Sequence, residues 1–194
     1  MNLEYFISSL PMILEDQPAK IAPEAFEAQC AEQLSPALAG AARAVAALAG
    51  NGGPASGGDV AALLDSPGGH PFVREFADRE IQLRNAVAAE RARRRGDSRR
   101  PVPRAAGGCD ASIAQGVAAA FSEKDPLSRE RALDSIRWRV LDELQGFAPF
   151  SEAAVLAYAG KLALNSRRFA ADEEKGMERF KAMTSGGQAG NSEN

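Results

Sequence analysis

Apolar residues recur at helical spacing along most of this chain. Leu133, Ile136, Val140, Leu144 and Phe147 follow one another at three- and four-residue steps, and Trp138 and Leu141 widen that stripe. Pro149 breaks this predicted helix and Ser151 caps the next, whose stripe is Val155, Tyr158, Leu162 and Phe169, with Met177, Phe180 and Met183 as its extension. Upstream, Phe72, Phe76, Leu83 and Val87 mark a long helix from Pro71 to about Arg95. Its outer face carries the i,i+4 pairs Glu75–Arg79, Glu80–Arg84 and Glu90–Arg94, a pattern that marks a solvated face.

Start signals divide the remainder. Pro23 opens a helix with Phe26, Cys30 and Leu34 on one face, and Ser35-Pro36 opens an Ala-rich helix that ends at Gly50. Asp59 caps a short helix through Leu64, Asp110 caps one through Phe121, and Asp125-Pro126 starts the helix of the first stripe. The opening segment Leu3–Leu10 stops at Pro11 and is expected to pack across the body as a short helix or extended arm. Gly50 through Gly58 reads as a loop and Gly186–Asn194 as a disordered tail.

Composition supports the same class. Alanine supplies 39 residues and Leu, Ile, Val and Phe together 39, whereas Val, Ile and Thr total only 15 of the 194. Strands favour β-branched and aromatic side chains, so a mainly β fold is excluded and closely packed helices are expected.

The chain offers little chemistry. One histidine, His70, and two cysteines, Cys30 and Cys109, cannot supply a zinc site or a disulfide scaffold, and the two thiols read as reduced, as in a cytoplasmic protein. Cys30 falls on an apolar face and reads as core, Cys109 as exposed, and His70 as a helix-start residue. Gly160-Lys161 lacks both the Ser or Thr and the preceding strand of a phosphate loop, and no G-x-S-x-G elbow occurs. No apolar run is long enough for a membrane span, and the N-terminus does not read as a signal peptide. No catalytic, cofactor-binding or metal-binding residue is therefore assigned.

Charge is unevenly distributed. Between Arg91 and Arg104 seven arginines face one acid, Asp97, so that stretch carries six net positive charges and the rest nine net negative, within a total of −3. The stretch runs into Pro101, Pro103, Gly107 and Gly108, and residues 97–109 read as a linker between an N-terminal half, 1–96, and a C-terminal half, 110–184, with a disordered tail at 185–194. It contains no aromatic residue for base stacking, and the remainder is acidic, so an acidic protein partner suits it better than nucleic acid.

Three stretches carry a family resemblance. They are Tyr5-Phe6-Ile7-Ser8-Ser9-Leu10-Pro11 with Pro23-Glu24-Ala25-Phe26; Ile136-Arg137-Trp138 with Leu141-Asp142-Glu143-Leu144; and Phe150, Val155-Leu156-Ala157-Tyr158, Lys161-Leu162, Arg167, Gly176 and Phe180. Together they resemble an uncharacterised bacterial family encoded among the genes of V-type (A/V-type) ATPases. That family is in turn distantly similar to the V-type ATPase C subunit (d in the eukaryotic enzyme), an all-helical socket between rotor ring and central stalk. The shared pattern is an aromatic followed by basic residues along a long helix, at Phe76-Arg79-Arg84-Asn85 and Tyr158-Lys161-Arg167. The resemblance implies a C-subunit-like helical bundle and a non-catalytic accessory or stalk-like subunit. It would have V-type ATPase subunits as partners and be cytoplasmic, peripheral to the inner membrane through a complex.

The expectation is thus an all-α protein of roughly eight helices in two packed halves. Its candidate partner-binding residues are Arg93, Arg94, Arg95, Arg99 and Arg100, with Tyr158 and Lys161 as a second surface. The alternatives are a helical adaptor unrelated to the ATPase, docking an acidic partner through the arginine linker, and a small enzyme with an unrecognised site.

Overall fold

The computed structural model of the chain describes residues 3–50, 69–97, 103 and 106–170. These contain seven helices and no strand: α1 Leu3–Ser9, α2 Pro23–Gln33, α3 Pro36–Gly50, α4 Pro71–Arg94, α5 Ala111–Ala120, α6 Pro126–Gln145 and α7 Glu152–Ala170. The expected helix from Asp59 to Leu64, the extension through Met177, Phe180 and Met183, and the tail 185–194 lie outside the described residues.

Local signals set the helix starts. Pro occupies the first turn of α2, α4 and α6, where its missing N–H costs no hydrogen bond. Ser35 Oγ accepts from Leu38 N–H at 3.3 Å, Asp110 from Ser112 N–H at 2.8 Å, Asp125 from Ser128 N–H at 2.7 Å and Ser151 from Ala154 N–H at 3.2 Å. Each bond satisfies one of the orphan donors of a first turn.

The two halves share one hydrophobic core. The most extensive helix–helix contact joins α3 of the N-terminal half to α7 of the C-terminal half, and α6 then packs on α7. Ala154 to Ala159 are buried except for half-buried Tyr158, so α7 is apolar on nearly every side and runs through the middle. Gly160 makes this approach possible: a Cβ there would stand 2.8 Å from both Leu141 methyls and 3.1 Å from a Val45 methyl. The Ala-rich sequence of α3 serves the same end, with Ala39, Ala41, Ala42 and Ala49 buried. α4, α5 and α6 pack on one another, with Phe72, Phe76, Leu83 and Val87 buried as their spacing predicts.

Four expectations are corrected. Phe147 is fully exposed rather than part of the α6 stripe, because Gly146 at φ +63° ends the helix before Pro149 and turns the chain away. Phe169 is exposed as well. Trp138 is only partly buried, its ring lying 5.6 Å from the Lys161 ammonium. On α4, Arg79 bonds Asp110 rather than Glu75, and Glu90 holds Arg93 rather than Arg94. The described end of the linker is docked on α4: Gly107 N–H donates to Asp78, and Asp110 N–H to Gln82 at 2.7 Å.

Candidate functional site

The basic end of α4 keeps its place in the folded chain. Arg91, Arg93, Arg94 and Arg95 are all exposed, and a helix C-terminus attracts cations through its unsatisfied carbonyls. The fold adds a cation that the sequence reading did not single out. Arg94 of α4 and Arg129 of α6 both lie over the ring of Phe121, at 5.4 and 5.2 Å from its centroid. Phe121 is the C-cap of α5, so two helix C-termini and two cation–π contacts hold the cluster together. Arg129 Nη2 also donates to Glu123 O at 3.0 Å. Arg93 pairs with the Glu90 carboxylate at 2.8 Å, and the hydrogen bond that Arg93 donates to it pushes the Arg93 pKa further up. Arg99 and Arg100 lie outside the described residues.

Tyr158 and Lys161 are committed within the chain. The Tyr158 hydroxyl donates to Pro11 O at 2.9 Å and its ring stands 5.1 Å from that of Phe26; burial pushes the hydroxyl up to about 12. Lys161 bonds the Asp142 carboxylate and faces the Trp138 ring. None of the described contacts joins this pair to the arginine cluster.

Tyr158 belongs to a latch on the N-terminal arm. Asn165, buried on α7, accepts from Ala19 N–H at 2.9 Å and donates to Leu14 O at 2.9 Å and Gln17 O at 2.7 Å. Arg168 donates to Glu15 O and to the Glu15 carboxylate, and Ser135 Oγ to the same carboxylate. Residues 11–19 are thus strapped across α6 and α7 by side chains reading their backbone.

A buried ion network joins α4, α6 and α7. Glu80, expected on a solvated face, is buried and accepts two bonds of 3.0 Å from Arg137 and one of 2.9 Å from Arg84. Arg137 also reaches Asp134 at 3.2 Å, and Arg167 bonds that same carboxylate. Burial pushes the Asp134 carboxyl up, with Arg167 and Arg137 opposing the shift. The coulombic pull of Glu80 leads the effects that hold Arg137 charged against its own desolvation. Every charge here meets an opposite charge inside the fold, which is the arrangement of a structural network.

The imidazole of His70 caps α4: Nδ1 accepts from Phe72 N–H at 3.2 Å, which places the proton on Nε2, 3.2 Å from Glu152. The pair borders a groove of about 340 Å³ lined by Ser35, Leu38, Ala41 and Val73. Both ring nitrogens are thus engaged within the chain. Burial pushes the Cys30 thiol up to about 11, keeping it protonated, as a core residue. Among the described residues no group of three or more His, Cys, Asp or Glu is placed to hold a metal ion, and no helix is long and apolar enough to cross a membrane.

No curated protein and no solved structure matches the chain. Residues 113–186, which take in most of α5, all of α6 and α7 and the sequence just beyond, match the model of a family described as a protein of unknown function (DUF2764).

Proposed function

We propose that this chain is a non-catalytic helical connector associated with a bacterial V-type ATPase, and that the basic end of α4 docks it on an acidic surface of another subunit. The observation that carries the docking half is the cluster at Phe121: Arg94 and Arg129 share one ring, beside the exposed Arg91, Arg93 and Arg95, on a chain whose remaining residues are acidic. Like charges gathered on one surface gain most from an acidic counterpart. The ATPase half rests on the sequence resemblance, whose second and third stretches, Ile136–Leu144 and Phe150–Phe180, fall inside the segment matched by the family of unknown function. A single core extending across both halves suits the role of a connector.

The experiment is capture of the tagged full chain at low salt from a host making the whole ATPase, with the bound proteins identified by mass spectrometry. ATPase subunits in the eluate support the reading. Their absence, with a different acidic protein in their place, favours the unrelated adaptor.

A further inference from the structure

The corner between α6 and α7 is built against the interest of the fold. Phe147 is fully exposed and Phe150 about half exposed, although both leave water readily. Single exposed apolar residues are ordinary, but two large rings within four residues on one turn are not scattered. The turn is also stiff. Gly146 N–H closes on Asp142 O at 3.2 Å with φ +63°, Pro149 fixes its own φ, and Ser151 Oγ donates to Ala148 O at 2.9 Å. Rings presented on a preformed turn lose little entropy on docking.

Charge at the corner also runs against helix preference. Asp142 and Glu143 lie near the C-terminal end of α6, whose last turn has no basic residue, although that end of a helix favours cations. Glu152 opens α7, and the three carboxylates are each about half exposed. Lys161 and Arg139 reach one carboxylate each, leaving the rim weakly acidic. An acidic rim disfavours an anionic bilayer, which exposed aromatic rings would otherwise suit.

Position completes the argument. Arg129, under the basic cluster, lies near the start of α6, and Phe147 follows its end. A helix of 20 residues spans about 30 Å. The two surfaces, opposite in sign, therefore stand at opposite ends of one rigid element.

We infer that the α6–α7 corner is a second docking point, where Phe147 and Phe150 enter an apolar pocket of a partner protein whose rim is basic. The role of the two surfaces as the two ends of a connector rests on the function proposed above; the corner as a docking point stands without it.

The test places a photo-crosslinking phenylalanine analogue at position 147 of the full chain in its host. A discrete protein adduct is expected, its crosslinked peptide apolar and flanked by Lys or Arg. Phe150→Ser should lower the adduct yield roughly tenfold, as loss of an aromatic anchor does, while leaving the melting temperature unchanged. An adduct on an ATPase subunit supports corner and function together. A discrete adduct of that description on another protein supports the corner and removes the ATPase reading. Crosslinks to lipid alone, to a second copy of the chain alone, to no discrete protein, or in a yield indifferent to Phe150→Ser overturn the inference.

Discussion

Arg137 closes on Glu80 through two hydrogen bonds of 3.0 Å, inside the core and across the contact of α4 with α6. A buried pair of this kind adds little net stability over an apolar pair, but breaking one side strands a charge. Arg137→Met should therefore cost about 3–5 kcal/mol in urea denaturation. Met at both positions should recover only part of that loss, because Arg84 then loses the Glu80 carboxylate as well. A single-variant loss below about 1 kcal/mol would show that the pair does not bind the two helices.

The strap is held through Asn165. Asn165→Leu removes its three hydrogen bonds to the Leu14 and Gln17 carbonyls and the Ala19 N–H, part-buried bonds worth about 0.5–1.5 kcal/mol each. Hydrogen exchange should show the Ala19 amide losing its protection while amides in the middle of α7 keep theirs. Equal loss in both places would mean that Asn165 supports the whole body rather than the arm.

Gly160 sets the spacing of α7 from α3 and α6. Gly160→Ala places a methyl against Leu141 and Val45, and overpacking of this type costs about 1–3 kcal/mol. The gain in helix propensity from Ala, about 1 kcal/mol, does not offset it at the upper end of that range. A thermal melt showing Gly160→Ala more stable than the parent would contradict the close approach.

Asp110 gives a pH signature. Hydrogen bonds from Ser112, with the charge of Arg79, hold its carboxyl below the usual carboxylate range. A lowered native value favours the folded state when the group is ionised. This contribution is complete above the unfolded value of about 3.9 and is lost as pH falls through the native value. Asn caps helices nearly as well, so Asp110→Asn should match the parent more closely at pH 2 than at pH 7. Parallel stability curves over that range would remove Asp110 from the account.

Much of this fold was legible because its helices begin at local signals: Pro23, Ser35-Pro36, Asp110 and Asp125-Pro126 each open a helix where they stand. Phe147 was misread because spacing from Leu144 continues the stripe, while the geometry at Gly146 ends the helix first. Glu80 carried a usable signal, since it lies four residues after Phe76 and three before Leu83, on the apolar stripe itself. Its partner, 57 residues away, depends on how α4 and α6 pack and has no local trace. The same holds for Arg129, which reaches Phe121 and the arginine cluster only once α4, α5 and α6 are assembled. The arginine run itself was visible as charge, and its exposure follows from its place at a helix end.

The docking claim is tested most directly by capture across a salt series. Charge-driven contacts weaken as salt rises, since screening falls to about 8 Å at physiological ionic strength and shortens further above it. The variant to compare is Arg93, Arg95, Arg99 and Arg100 all replaced by Ser, which spares Arg94 and Arg129 over Phe121. The tagged parent should bring down ATPase subunits at low salt and release them as salt increases, and the variant should capture far less with a flatter salt dependence and unchanged circular dichroism. A parent that captures no ATPase subunit at low salt, or a variant that matches it at every salt concentration, would contradict the account.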